Sequence, residues 1–243
     1  MKAQAARAVG TVATKLGSGI QPEIQARLLT LLVVGLEGRT WTGKESIINS
    51  LAELVKSGPE VLRSNMVKEE QDKMVESILR ESRKEKTEYK KVALKSTGRI
   101  LSELKVDRLK EIYEIVEGYL PKLTESDKQE EEEEEEADPE RADRQLEVLE
   151  SALECLGLSW PASGPSAELY LPIVLEQLES LATNTTRRNQ LALVRCMANI
   201  LKVATIPTAS SMKVFTKLAV IISSLLQVPK YVQLRTETLQ VLD

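Results

Sequence analysis

The sequence of 243 residues contains no histidine, only two cysteines and few aromatic side chains, which make up 3% of it. Without histidine there is no imidazole base and no Ser-His or Cys-His nucleophile pair. Two cysteines alone cannot close a structural zinc site or a disulfide-rich scaffold. The scarcity of aromatic rings disfavours a base-stacking surface for nucleic acid. We therefore expect a protein that is not an enzyme, with no cofactor, no metal, no small-molecule substrate and no nucleic-acid partner.

Long apolar runs are also missing. No run approaches the length of a membrane-spanning helix, and the first residues lack the apolar segment of a signal peptide. We expect a soluble, reduced, intracellular protein with no integral membrane segment.

What the chain does have is an uneven distribution of charge. Between Glu125 and Glu140 lie eleven acidic residues and one basic residue, and positions 130–136 are an unbroken run of glutamate. Seven adjacent carboxylates repel one another and cannot bury apolar area, so residues 124–139 are predicted to form a disordered acidic loop. The rest of the chain carries 32 basic and 26 acidic residues, a net charge of +6. The loop is a tolerated insertion, a contact for a basic partner, or a cover for the chain's own basic face.

The stretch from Arg80 to Lys110 is basic, with eleven Lys and Arg residues against five acids. A solvated helix face and a docking patch for an acidic protein both explain this charge. Nucleic acid is less favoured, because no Gly and aromatic residues are interleaved with the cations.

Apolar residues recur with helical periodicity along nearly the whole chain. Residues 45–55 show the stripe most clearly, because five apolar positions fall on one side of a helix. No segment alternates long enough to predict a strand. Eleven helices are predicted, with prolines at or just before several of their starts. Their ranges are 2–16, 22–36, 43–57, 67–85, 87–104, 107–122, 140–157, 166–183, 187–204, 209–227 and 230–242.

Every second helix opens with a basic or amide residue, and the intervals between these residues are 46, 55, 45 and 45. The long interval contains the acidic segment. A period of about 40–47 residues with two helices per unit is typical of HEAT and armadillo repeats. The predicted fold is an all-α solenoid of about five and a half HEAT-like repeats. Residues 1–243 are expected to form a single solenoid segment, a piece of a longer one, because neither end carries a polar cap. The opening residues at these intervals are Lys44, Lys90, Gln145, Gln190 and Arg235.

Residues 38–44, GRTWTGK, match the G-x-x-x-x-G-K pattern of a phosphate-binding loop. The residue that should be Ser or Thr, to hold magnesium, is Glu45, and the preceding segment is predicted to be a helix. A turn between two helices therefore fits better than a nucleotide site. Trp41 in this turn is either a packing residue or a partner anchor. Cys155 and Cys196 lie among apolar stripes and are predicted to be core residues.

The turn GRTWTGKE at residues 38–45 resembles the Ecm-type family of proteasome-associated HEAT-repeat adaptors and scaffolds. The resemblance continues at Leu79-Arg80-Glu81, at residues 89–93 and at residues 156–161, and extends through residues 232–237. It spans most of the chain and corresponds to the C-terminal portion of the family. The chain is far shorter than the usual member, and the acidic run matches no family feature.

The resemblance implies a non-catalytic scaffold that binds the 26S proteasome, with proteasome subunits as partners, and that bridges its regulatory and core particles. It implies a location in the cytoplasm and nucleus, and at the periphery of endomembranes through partners. A nuclear-transport-type cargo receptor built from the same repeats is the alternative, and a nucleotide-dependent enzyme is a third hypothesis. The candidate partner-binding residues are Arg39, Trp41, Lys44, Arg83, Lys84, Lys90, Lys91 and Lys95.

Overall fold

The structure, a computed structural model, describes residues 1–121, 139–206, 208–228 and 230–241. Within these ranges it contains twelve α-helices and two short 3₁₀ helices, and no β-strand. The predicted acidic loop at 124–139 lies, up to residue 138, outside the described residues. The chain forms two compact units, Met1–Ile115 and Val116–Asp243.

The first unit contains six α-helices and most of a seventh, with a 3₁₀ turn at Gly17–Gly19. Pro22 and Pro59 each occupy the first position of a helix, where a missing N–H leaves no hydrogen bond unmade. The helices are α1 Lys2–Leu16, α2 Pro22–Gly35, α3 Glu45–Ser57, α4 Pro59–Asn65, α5 Lys68–Ser82, α6 Thr87–Leu104 and α7 Leu109–Val116.

The second unit begins at the last residue of α7, followed by a 3₁₀ turn at Glu117–Tyr119. Pro139 and Pro165 again stand at helix starts, and Thr186 caps α10 by accepting a hydrogen bond from the Asn189 N–H at 3.3 Å. The helices are α8 Pro139–Leu158, α9 Pro165–Thr183, α10 Arg187–Val203, α11 Thr208–Leu226 and α12 Val232–Gln240.

Helix α3 lies at the centre of the first unit and packs on α1, α2 and α6. The apolar stripe predicted for residues 45–55 is buried, and Ile48, Leu51, Leu54 and Val55 have no solvent exposure. Each such side chain contributes about 1.5–3 kcal/mol relative to an exposed position. The hydrophobic stripe therefore determines which face of α3 the other helices cover.

Alternate helices stack on one another within each unit, as the repeat period predicts. In the first unit α3 packs between α1 and α6, and in the second α10 packs between α8 and α12 while α9 packs on α11. Small residues permit the close approaches. A Cβ added to Gly10 of α1 would lie 2.8 Å from the Ser50 Oγ of α3, and one added to Gly157 of α8 would lie 2.8 Å from the Cys196 Cα of α10.

The predicted helices agree with the observed ones to within three residues at each end, except in two places. Helix α4 was not predicted, because it has seven residues and buries only Leu62. The helix predicted at 107–122 begins later and gives way to a 3₁₀ turn.

Candidate functional site

The turn between α2 and α3 is held in an unusual backbone conformation by two glycines. Gly38 has a φ of 80° and Gly43 a φ of 103°. Residues with a Cβ atom rarely adopt such positive φ angles, whereas glycine does so readily. Trp41 is half-buried and packs against the hydrophobic core of the first unit. Its ring also covers Gly43, because a Cβ there would lie 3.2 Å from the Trp41 Cζ3. The packing interpretation of Trp41 is therefore the one that the contacts support.

Lys44, the last residue of this turn, is completely buried. Its ammonium donates to the Gly38 carbonyl at 3.2 Å and forms an ion pair with Glu81 Oε2 at 3.0 Å. Glu81 belongs to the last turn of α5, and its side chain is also fully buried. These two contacts attach the α2–α3 turn to the C-terminal end of α5.

The same carboxylate oxygen of Glu81 accepts a second hydrogen bond, from the Tyr89 hydroxyl at 2.5 Å. Tyr89 lies in the first turn of α6, so one carboxylate connects three elements. Burial, followed by the hydrogen bond to Glu81, raises the pKa of Tyr89 above its usual range. The other oxygen, Oε1, is buried with no hydrogen-bond partner in the described part of the chain, and the Arg80 guanidinium lies 3.9 Å from it.

The arrangement does not fit a phosphate-binding loop. A helix, α2, precedes the turn where such a loop requires a strand, and the Lys44 ammonium faces a carbonyl and a carboxylate. Both groups would repel a phosphate. Glu45 accepts a hydrogen bond from the Gly43 N–H at 3.0 Å, which accounts for a carboxylate at the N-terminus of α3.

The structure corrects the predicted set of partner-binding residues at two positions. Lys44 is inside the protein, and Lys90 is only 6% exposed, with its ammonium 3.8 Å from Glu85. Neither ammonium is available to a partner surface while this fold is intact. Lys91 is half-buried and donates to Glu88 at 2.7 Å, and Lys95 is also half-buried and engaged. Counting charges along the sequence could not reveal this burial.

The remaining three cations, Arg39, Arg83 and Lys84, lie on the two segments that the Lys44 contacts join, and Arg39 and Arg83 are exposed while Lys84 is half-buried. Arg39 follows Gly38, whose carbonyl holds Lys44, while Arg83 and Lys84 follow Glu81 directly. Two further cations, the exposed side chains of Arg80 and Lys86, flank them. We refer to Arg39, Arg80, Arg83, Lys84 and Lys86 together as the basic edge. Whether it contacts a partner stays a prediction.

The two cysteines and Trp160 are buried in the hydrophobic core. Cys155 and Cys196 are buried and form no disulfide bond, and burial raises the pKa of the Cys196 thiol to about 12. In the described residues, no group of His, Cys, Asp and Glu could hold a metal ion. No helix within them has the length and hydrophobicity needed to cross a membrane.

Comparison with known proteins gives the same class of fold. A family model described as the C-terminal ARM-like repeats of ECM29 matches residues 55–241. The Drosophila melanogaster protein called proteasome-associated protein ECM29 homolog is 30% identical over 210 residues, which cover 83% of this chain and 11% of that protein. The human proteasome adapter and scaffold protein ECM29 is 32% identical over 172 residues, which cover 70% of this chain and 9% of that protein. No solved structure matches.

The stacked alternate helices and the repeat match define an all-α solenoid of armadillo-like helical repeats. The chain belongs to the ECM29 family and corresponds to its C-terminal repeats. It spans about a tenth of the length of the curated relatives it matches. The matched region begins at residue 55, so the turn that carried much of the resemblance lies before it.

Proposed function

We propose that this chain is part of a non-catalytic scaffold that binds the 26S proteasome and helps to hold its regulatory and core particles together. The observation that carries the proposal is the match of residues 55–241 to the ECM29 C-terminal repeats. The names of the two relatives, a proteasome-associated protein and a proteasome adapter and scaffold, suggest the partner.

The fold is suited to such a role. In a solenoid each helix pair contacts only its neighbours, so a long surface is presented that binds by shape and charge. The absence of histidine from the sequence removes the commonest general base and metal ligand. The proposal accordingly needs no cofactor and no small-molecule substrate, and its partners are protein subunits of the proteasome. We also propose a location in the cytoplasm and nucleus, and on endomembranes through partners.

Affinity capture with the tagged full chain tests the binding step. We expect subunits of both the regulatory and core particles among the bound proteins identified by mass spectrometry. The control is a variant with Leu51→Asp and Leu153→Asp, which places a charge in the core of each unit, because both leucines are fully buried. This variant should capture nothing. Recovery of transport cargo released by a small GTPase, without proteasomes, would contradict the proposal and favour a nuclear-transport receptor.

The linking step needs a separate measurement. Purified 26S proteasome is diluted with and without the chain, and the fraction of core particle that still carries a regulatory particle is followed on native gels. We expect the chain to slow this dissociation. An unchanged rate at saturating chain would show binding without linking.

A further inference from the structure

The basic edge has five cations, and the exposed acids next to them in the sequence are Glu37 and Glu85, so positive charge is in excess. The side chains of Arg39, Arg83, Lys84 and Lys86 take part in no ion pair or hydrogen bond among the described residues. Arg80 approaches only the buried Glu81, at the long distance of 3.9 Å. Glu81 is paired with Lys44, whereas the Glu85 side chain is 95% exposed and lies 3.8 Å from Lys90.

Three cations elsewhere in the chain pair with acids of a neighbouring repeat. Arg108 contacts Asp72 at 2.8 Å, Arg195 forms a two-pronged pair with Glu237 at 2.8 Å, and Lys217 contacts Glu179 at 2.9 Å. Each of these pairs joins residues 36–42 positions apart and so links successive repeats. The cations of the basic edge form no such link, and their charge is left to face the solvent.

The buried ion pair joins the two segments that carry the basic edge. Arg39 is more than 40 positions from Arg83 in the sequence. The Lys44 ammonium contacts the Gly38 carbonyl at 3.2 Å and the Glu81 carboxylate at 3.0 Å, so the α2–α3 turn is attached to the C-terminal end of α5. A ligand that binds here does not have to order the turn, which lowers the entropic cost of binding.

We propose that the basic edge binds an acidic segment of a partner protein, whose carboxylates pair with Arg39, Arg83, Lys84 and Lys86. The inference deepens the proposed function and rests on it for the class of partner, a protein. Guanidinium groups favour carboxylates because two parallel N–H groups meet the two oxygens. Nucleic acid is disfavoured because the two aromatic side chains next to the basic edge are occupied. Trp41 packs over Gly43, and Tyr89 is buried on Glu81.

Fluorescence anisotropy on the full chain provides the test. The probe is a fluorescein-labelled peptide of alternating glutamate and serine, and the control peptide has glutamine in place of glutamate. The variant carries Arg39→Glu, Arg83→Glu and Lys84→Glu. We expect its affinity for the acidic probe to fall about tenfold or more, because attraction becomes repulsion at three positions. We also expect binding of the natural chain to weaken when salt is raised from about 50 to about 300 mM.

A matched variant controls for net charge. Lys202→Glu, Lys213→Glu and Arg235→Glu change the charge by the same amount at three exposed positions of the second unit. We expect less than about a threefold effect from this variant. Equal weakening by both variants would overturn the proposal, because net charge would then explain the binding. Failure of the probe to bind the natural chain would also overturn it.

Two further outcomes would contradict the choice of occupant. If replacing the glutamates at 130–136 by glutamine tightens probe binding about tenfold, the chain's own acidic run occupies the basic edge instead. If a single-stranded oligonucleotide binds more tightly than the acidic probe, and loses affinity in the same variant, the partner is nucleic acid. Comparable probe affinity with and without the glutamate replacement, and weak oligonucleotide binding, support an acidic protein segment.

Proteasome capture separates this inference from the proposed function. If the tagged natural chain captures proteasomes and the variant at Arg39, Arg83 and Lys84 captures as many, the basic edge is not the docking surface and only this inference fails. If the natural chain captures none while the acidic probe still binds at the basic edge, the proposed function fails and the preference for an acidic segment stands.

Discussion

The Lys44 ammonium lies 3.0 Å from the Glu81 carboxylate, and neither side chain has any solvent exposure. A turn whose sequence matches a phosphate-binding pattern thus uses its lysine internally, to attach the α2–α3 turn to the end of α5. The tyrosine hydroxyl of Tyr89 completes the cluster at 2.5 Å. The basic edge is carried by the two segments that the Lys44 contacts join, the α2–α3 turn and the end of α5.

Removing one member of the buried pair should be costly. Lys44→Met leaves an uncompensated carboxylate and should lower the free energy of unfolding by about 3–5 kcal/mol. Lys44→Met combined with Glu81→Gln removes both charges and keeps an acceptor for Tyr89, so it should recover at least about 1 kcal/mol. Urea unfolding in a Trp160→Phe background measures these free energies of unfolding. Trp41, in the first unit, is then the remaining tryptophan whose fluorescence is followed. Equal losses in the single and double variants would argue against the ion pair.

The positive φ of Gly43 gives a second prediction. Gly43→Ala forces a side chain into a left-handed conformation and places its Cβ 3.0 Å from the Ala3 Cβ and 3.2 Å from the Trp41 ring. A loss of about 2–3 kcal/mol is expected. Gly38→Ala is the matched control, since it shares a positive φ but nothing lies within 4 Å of its added Cβ. The control should lose about 1 kcal/mol. Comparable losses would mean that the contact with Trp41 is unimportant.

Close packing of α8 on α10 makes Gly157 sensitive. An added Cβ would lie 2.8 Å from the Cys196 Cα and 2.9 Å from its carbonyl oxygen, and backbone cannot move aside as a side chain can. Gly157→Ala should therefore destabilise the second unit by about 1–3 kcal/mol, although alanine is normally the better helix former. Gly118→Ala has open space around its Cβ and should change stability by less than about 1 kcal/mol. Thermal unfolding by circular dichroism compares the two, and a stabilised Gly157→Ala protein would contradict the packing.

The Cys196 thiol should make the second unit less stable at alkaline pH. Burial raises the pKa of this thiol to about 12, while an unfolded thiol ionises near about 8.5. Between these two pKa values the thiol keeps its proton in the folded state and loses it in the unfolded state. The stability from this group is complete below about pH 8.5 and is lost as pH rises towards 12.

The Cys196→Ala variant isolates this contribution. When the pH is raised from 8 to 10, the free energy of unfolding should fall by about 2 kcal/mol more in the natural protein than in the Cys196→Ala variant. Urea unfolding followed by Trp160 fluorescence, in a Trp41→Phe background, measures the difference between the two pH slopes. Parallel slopes for the two proteins would show that the thiol ionises normally in the fold.

Local patterns allowed most of the fold to be predicted from the sequence. Helical periodicity predicted the buried stripe of residues 45–55, and the prolines at 22, 139 and 165 marked helix starts, because both signals are encoded in short segments. Helix α4 was missed because a seven-residue segment that buries only Leu62 carries no periodic signal.

The candidate site was harder to predict because it depends on contacts between distant residues. A count of charges along the sequence treats Lys44 and Lys90 as surface residues. Their burial follows only from the packing of α3, α5 and α6. Glu81 lies 37 positions from Lys44, and no local spacing marks the two as partners. Arg39, Arg83 and Lys84 were predicted as cations of a binding surface, and the contacts of Lys44 join the two segments on which they lie.

Direct association with the proteasome tests the central claim. The labelled full chain is mixed with purified 26S proteasome and sedimented through a density gradient, with the Leu51→Asp and Leu153→Asp variant run beside it. We expect the natural chain to move with the intact proteasome in a saturable amount and the variant to remain behind. A natural chain that remains at the top of the gradient, at concentrations where it is folded, would contradict the central claim.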